Sequence, residues 1–362
     1  MSEQAKRVDT SHAWAVVMAG GAGTRFWPAS RRAKPKQLLP LAGPESLIAT
    51  TVARIAPVIP PERVLVVTAA HLVEPTRAEL PSVPAENVLA EPAARNTAPC
   101  VGWAAEVARA RDPEAVLVVL AADHHVTNAA EYERVTRVAI GAATSGSLVT
   151  LGMKPTRPET GYGYLEVGPA LGDGSHRALR FVEKPSRAVA EEYVASGRFL
   201  WNSGNFFFRA DAVLGEIAKQ LPALASGLAK MREQRFSAES IREVFPTLPS
   251  ISIDHGVMEK AADVRVVPAD FGWSDVGSWV TAWELAEKDA AGNAVVDADA
   301  VVADARGNYV RAPEGKIVAI IGVTDLVVVD TGDALLVMPR ERAQDVKLAV
   351  EALGKRSPPK GV

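Results

Sequence analysis

AWAVVMAGGAGTRFWPASRRAKPKQLLPL, residues 13–41, joins an unbroken apolar run to a glycine-rich turn and then to five basic side chains, Arg25, Arg31, Arg32, Lys34 and Lys36. An apolar run bounded by turn residues predicts a strand buried on both faces. Gly20, Gly21 and Gly23 follow it. Without Cβ atoms they let the backbone approach a ligand and turn N–H groups toward it. Thr24 adds a hydroxyl, Arg25 a fork that can hold two phosphate oxygens at once, and Lys36 a mobile point charge. The turn is neither of the familiar phosphate loops. G-x-x-x-x-G-K-[ST] is absent, and Gly21 and Gly23 lead into Thr24, Arg25 and Phe26 rather than completing G-x-G-x-x-G. A tight strand-to-helix turn with a solvated basic face is the plain alternative. The placing of Arg25 and Lys36 beyond the carboxyl end of the first strand favours a ligand, because open α/β sheets bind ligands there.

Outward from this stretch, further continuous apolar runs occur at 63–70, 87–91, 115–123 and 147–153. Helical patterns lie between several of them, at 45–59, 96–110 and 130–144. Alternation of this kind predicts an α/β fold, Rossmann-like, with a mainly parallel sheet and helices on both faces. From 155 to about 285 the texture becomes mixed: strands at TGYGYLEVG and RALRFVEKP flank a turn-rich segment, and helices are expected at 186–197 and 211–234. After about 290 the chain is rich in Val, Asp and Gly with frequent turns. AVVDADAVVADARGN and LVVVDTGDALLV hint at a short β-solenoid. The expected layout is a domain over 1–285, with halves at about 13–155 and 156–285, then a small β domain over 290–353 and a disordered tail over 354–362.

The 362 residues allow two domains, or one large domain with an appendage. A net charge of −3 gives no reason to expect nucleic acid or an acidic membrane as partner. Cys100 is the single cysteine, which excludes an intrachain disulfide and a cysteine-rich metal site. The opening MSEQAKRVDTSH is polar, and no apolar run approaches the ~20 residues of a spanning helix. A cytoplasmic location is the expectation.

Several constellations carry chemistry. Asp123 ends the run AVLVVLAAD and is either a helix cap or a cation ligand. His124 and His125 beside it point to opposite faces of an extended chain, so they read as structural. Asp275, in GWSDVGSW, is a turn residue between Trp273 and Trp279, or a second ligand. Glu183 and Lys184, in FVEKP, form an ordinary solvated pair, or divide between hydroxyls and a phosphate. Gly161 and Gly163 in TGYGY mark a turn or a close backbone approach, and Asn202 in WNSG can both donate and accept. Arg95, Asn96 and Thr97 fall at a helix N-terminus, as caps or as donors to a ligand.

In order along the chain, the opening signature, EPAARNTAP (91–99), LAADHHV (120–126), FVEKP (181–185), WNSGNFFF (201–208), SIDHGVMEK (252–260) and GWSDVGSW (272–279) resemble the sugar-phosphate nucleotidyltransferases. FWP and PKQ resemble the mannose-1-phosphate guanylyltransferase branch. Asn205 stands where that family commonly has Met, and His255-Gly256 where Tyr-Ala is frequent. The resemblance implies GTP and mannose 1-phosphate as substrates, Mg²⁺ held by Asp123 and Asp275, and Arg25 and Lys36 as catalytic cations. It places the triphosphate on Gly20, Gly21, Gly23, Thr24 and Arg25, and guanine near Arg95, Asn96 and Thr97. It gives Gly161, Gly163, Glu183, Lys184 and Asn202 to the sugar phosphate. A homodimer is compatible with it. Another sugar 1-phosphate or nucleotide, or a nucleotide-sugar-sensing module without turnover, remain alternatives. The histidines stop at His255 and the chain at Val362, so the appended isomerase activity of some relatives is not expected.

Overall fold

All five apolar runs form strands: β1 (Ala13–Ala19), β2 (Val64–Ala69), β3 (Val88–Glu91), β4 (Val116–Ala121) and, after the two-residue β5 (His125–Val126), β6 (Leu148–Met153). The structure, a computed structural model, describes residues 8–21 and 23–356. Of the expected tail, Gly354 closes the last helix, and 357–362 lie outside the described residues. Two units are present, and they do not follow chain order. The first gathers residues 8–20, 51–122 and 126–273, and the second gathers 21, 23–50, 123–125 and 274–356.

The first unit is built on a nine-stranded sheet, completed by β7 (Tyr164–Ala170), β8 (His176–Val182), β9 (Phe199–Arg209) and β10 (Val264–Ala269), in the order β3-β2-β1-β4-β9-β6-β10-β8-β7. The sheet is mixed. β3, β2, β1 and β4 are parallel, as the continuous apolar runs imply, but β9 enters antiparallel between β4 and β6. Ala15, Val16 and Val17 of β1 have no exposed surface. Burying an aliphatic side chain of this kind is worth roughly 1.5–3 kcal/mol, which is why such runs settle mid-sheet.

The helices between the strands are α1 (Leu47–Ile55), α2 (Val73–Glu79), α3 (Thr97–Arg111) and α4 (Ala129–Ala143). Then come α5 (Arg187–Ser196), α6 (Ala210–Gln220), α7 (Pro222–Glu233) and α8 (Ala238–Val244). The helix expected over 211–234 is broken at Leu221–Pro222, because proline lacks the N–H that would continue α6 and starts α7 instead. α3 buries Ala98, Ala104, Ala105 and Ala108, and its Gly102 admits Leu228 so closely that a Cβ there would sit 2.7 Å from that side chain.

In the second unit, after the short β11 (Trp273–Ser274) and α9 (Trp279–Leu285), strands β12 (Ala294–Val296), β14 (Tyr309–Arg311) and β16 (Leu326–Asp330) stack in parallel. β13 (Asp299–Ala303) stacks on β15 (Ile317–Ile321) in the same way. This is the short solenoid hinted at by the sequence. Buried asparagines tie its coils. Asn308 donates to Asn293 Oδ1 at 2.8 Å, and its own Oδ1 accepts from the Leu326 N–H at 2.9 Å. β17 (Leu335–Pro339) pairs antiparallel with β16, and α10 (Val346–Gly354) follows. Phe26, Trp27, Leu39, Val276, Trp279 and Tyr309 belong to one core in this unit. Among the described residues no helix is long and apolar enough to cross a membrane.

Candidate active site

The second unit carries one cluster. Residues 24–26 form a 3-10 turn after Gly23, whose φ of 59° lies in the left-handed region. A Cβ at Gly23 would come within 2.4 Å of Lys36 Cβ, so only glycine permits this approach. Phe26 anchors the turn by packing edge-on against the fully buried Trp279 at 5.0 Å, and Trp279 Nε1 donates to the Trp27 carbonyl at 3.1 Å. Lys36 opens a second 3-10 turn, and its side chain is only 9% exposed. Its ammonium donates to Asp123 Oδ2 at 2.8 Å and to the Asp275 carbonyl at 2.6 Å. One lysine therefore joins three segments that lie far apart in sequence.

Gly23, Thr24, Arg25, Phe26, Lys36, Asp123, His124, Asp275 and Gly277 line a cavity of about 350 Å³. Arg25 is exposed, and no ion pair to it forms among the described residues. Burial alone would raise the Asp123 carboxyl, but the Lys36 ammonium and His124 outweigh it and hold the group below the ordinary carboxylate value. His124, expected to be structural, lines the cavity. Arg31 of the basic run is committed elsewhere, to Asp333 at 3.3 Å.

The first unit carries a second cluster. A Cβ at Gly163 would lie 2.5 Å from Glu183 Oε2, and the Gly163 carbonyl accepts from the Asn202 N–H at 2.8 Å. A side chain at 163 would therefore displace the Glu183 carboxylate, whereas Gly161 sits on an exposed turn held by Glu159 Oε1 at 3.1 Å. Glu183, 8% exposed, pairs with the well-exposed Lys184 at 2.7 Å. Asn202 Oδ1 accepts from Thr150 Oγ1 at 2.9 Å, and its amide donates to Asp254 Oδ1 at 3.0 Å. Burial and the neighbouring Glu183 raise the Asp254 carboxyl to about 6. Glu259 fixes the Glu183 backbone N–H at 2.8 Å and meets His255 Nδ1 at 3.0 Å. Asp254 and Glu259 had no role assigned from sequence. Both stand in SIDHGVMEK, and their spacing puts Asp254 and Glu259 at the two ends of a single π-turn over Asp254–Met258.

In the same unit, Asn96 caps α3 with its Oδ1 accepting from Thr97 N–H at 2.9 Å. Thr97 Oγ1 accepts from the Ile253 N–H at 2.8 Å, which fastens α3 to the segment before Asp254. Arg95 Nε is buried and has no hydrogen-bond partner among the described residues. Gly20, which follows β1, lies beside Glu91, the last residue of β3.

A parallel-strand sheet whose first strand runs on into a glycine turn is a frame common to nucleotide-handling transferases. Residues 14–292 match the family model described as nucleotidyl transferase, and residues 298–353 match that of the MannoseP isomerase/GMP-like beta-helix domain. A mannose-1-phosphate guanylyltransferase of Klebsiella pneumoniae is 44% identical, over 93% of this chain and 73% of its own. The xanthan biosynthesis protein XanB of Xanthomonas campestris is 41% identical, over 93% and 72%. A solved structure from Thermus thermophilus, described as a mannose-1-phosphate geranyltransferase, superposes with a TM-score of 0.86 at 38% identity, covering 95% of this chain and 99% of that one. The chain belongs to the nucleotidyl transferase family, in the group of the mannose-1-phosphate guanylyltransferases.

Proposed function

We propose that the protein joins mannose 1-phosphate to GTP, giving GDP-mannose and diphosphate. The observation that carries this reading is the cavity in which Gly23, Arg25 and Lys36 meet Asp123 and Asp275, within a chain of this family. A phosphate monoester dianion is already a nucleophile at neutral pH, so the reaction needs no general base. The sugar-phosphate oxygen bonds to the α-phosphorus as the bond to the β-phosphate oxygen breaks, and diphosphate leaves in line. Catalysis is then positioning and charge neutralisation.

Gly20, Gly21, Gly23 and Thr24 cradle the triphosphate, and Arg25 and Lys36 offset the charge that grows on the leaving group. Arg95, Asn96 and Thr97 border the nucleoside. In the other cluster Lys184 binds the sugar phosphate, while Glu183 and Asn202 exchange hydrogen bonds with sugar hydroxyls. Gly161 and Gly163 bring backbone close. Asp254 fixes the Asn202 amide, which sets the direction of that contact.

The donor set suits a divalent cation of the Mg²⁺ type. Asp123 and Asp275, which both line the cavity, are the two carboxylates that would hold it. Mg²⁺ typically takes one or two carboxylates together with substrate phosphates and water. When bound, it supplies charge neutralisation and alignment of phosphate oxygens. A cytoplasmic setting, which the free Cys100 favours, completes the proposal.

Diphosphate release tests it, with GTP, ATP, UTP or dTTP against the 1-phosphates of mannose, glucose and N-acetylglucosamine in Mg²⁺. Release is expected to be fastest with GTP and mannose 1-phosphate. Preference for another pair, or no release from any, would overturn the proposal.

A further inference from the structure

Just past the end of β8, two backbone N–H groups are held by partners remote in sequence. The Glu183 N–H donates to Glu259 Oε1 at 2.8 Å, and the Lys184 N–H donates to the Tyr162 carbonyl at 3.2 Å. The chain held in this way is strained. Lys184 has a φ of 49°, in the left-handed region. It also precedes Pro185, and the residue before a proline favours extended backbone. A side-chain-bearing residue keeps such a conformation only where its surroundings over-determine it. Any relaxation of φ at 184 re-aims the lysine, whose ammonium meets Glu183 Oε1 at 2.7 Å.

Glu259 is itself firmly placed. It follows the π-turn Asp254–Met258, whose Val257 and Met258 are buried in the core of this unit. Gly256 of that turn packs so closely on Leu221, between α6 and α7, that a Cβ would lie 2.9 Å from its Cδ1. The Glu259 N–H donates to the Asp254 carbonyl at 3.0 Å. Its other carboxylate oxygen, Oε2, meets His255 Nδ1 at 3.0 Å, and because a carboxylate only accepts, that nitrogen carries the proton. Each oxygen of Glu259 thus has a partner within the protein, which marks a support for the site and not a contact to substrate. Asp254, at the other end of the turn, holds the Asn202 amide of β9. One turn therefore grips both strands whose residues are proposed to meet the sugar phosphate. We infer that Glu259 is a positioning residue for the sugar phosphate: by accepting from the Glu183 N–H it keeps the strained Glu183–Lys184 pair in the form that receives the ligand. The inference rests on the proposed roles of Glu183 and Lys184 and adds what keeps them aimed. Glu259 works here as an acceptor. Its charge gives no help, since an anion near a phosphate dianion repels it.

The test measures KM for mannose 1-phosphate and for GTP, by diphosphate release in Mg²⁺, in wild type, Glu259→Ala and Glu259→Gln. A KM does not depend on the fraction of folded enzyme, so a poorly folding variant still gives an answer. Glu259→Ala should raise the KM for mannose 1-phosphate about ten-fold, the low end for a hydrogen bond to a charged group, and leave that for GTP within about two-fold. Glu259→Gln keeps an acceptor oxygen and loses the charge, so it should bring the KM for mannose 1-phosphate back to within about three-fold of wild type. An unchanged or lowered KM in Glu259→Ala, equal losses for both substrates, or a Glu259→Gln as impaired as Glu259→Ala would overturn the inference and leave the proposed reaction intact. Wild type that uses another sugar 1-phosphate would overturn the proposed substrate, and the KM for that sugar phosphate in the same three proteins would then decide on Glu259. No release from any pair would overturn the reaction, and this inference with it.

Discussion

Replacing Lys36 by methionine should loosen the second unit and nearly abolish turnover, and the size of the effect follows from two contacts. Methionine keeps the length of the lysine stem, which passes the Phe26 ring, so packing changes little. What is lost is the ammonium that donates to Asp123 Oδ2 and to the Asp275 carbonyl. Hydrogen bonds from a charged donor contribute roughly 1.5–3 kcal/mol each when buried. Asp123 is 34% exposed, so solvent screens its share and places that contact at the low end. The expected loss is about 2–4 kcal/mol. A double-mutant cycle with Asp123→Asn isolates the pair. Equilibrium urea unfolding of wild type, both single variants and the double variant should give a coupling of about 1–2 kcal/mol. Losses that add to within about 0.5 kcal/mol would refute the reasoning, because Lys36 and Asp123 would then not share a bond that matters.

Lys184→Ala should raise the KM for mannose 1-phosphate roughly ten- to a hundred-fold and leave that for GTP nearly unchanged. Steady-state kinetics with each substrate varied in turn check this, and equal losses would place Lys184 elsewhere. Asp123→Asn and Asp275→Asn should each weaken Mg²⁺-nucleotide binding and remove most turnover, with the double variant little worse than the worse single one. Full multiplication of the two losses would mean independent roles. For Asp254 the folded carboxyl holds its proton up to about pH 6, against 3.8 ordinarily, so its contribution to stability is greatest below pH 4 and is lost as pH rises to about 6. Asp254→Asn should therefore match wild type near pH 4 and exceed it at pH 8 by up to about 3 kcal/mol. Parallel pH–stability curves for the two proteins would contradict the assignment.

Much of the fold was legible locally. The runs that became β1, β2, β3, β4 and β6 are continuous because strands covered on both faces need apolar side chains at every position. Gly23 could be read as a special position because glycine is what the backbone demands at φ 59°, whatever lies beyond it. Pro222 carries a stop signal that the expectation of one helix over 211–234 passed over, because proline can also open a helix and the apolar pattern continues across it. Arg25, Lys36, Asp123, Asp275, Glu183 and Lys184 could be singled out as well, since the choice of Arg, Lys, Asp or Glu is a statement about chemistry.

Partnership was a different matter. Nothing in WNSGNFFF says that β9 will run antiparallel between β4 and β6, because a strand of that pattern can bury itself beside any apolar neighbour. The two units gather segments out of chain order, and residues 21, 23–50 join the C-terminal part through a core of Phe26, Trp27 and Trp279 that no local pattern reports. Asp254 looked like one residue of a motif until the fold buried it beside Glu183 and gave it the Asn202 amide. Glu91 looked like the end of a strand, and the fold buries its Oε1 with no hydrogen-bond partner among the described residues. The sequence by itself determined which groups exist and which short elements hold them, since hydrophobic periodicity and backbone preference act over a few residues. Tertiary structure alone decided that Lys36 reaches Asp123 and Asp275 and that Glu91 Oε1 is buried with no hydrogen-bond partner among the described residues, because burial couples residues through the space they share and not through their separation along the chain.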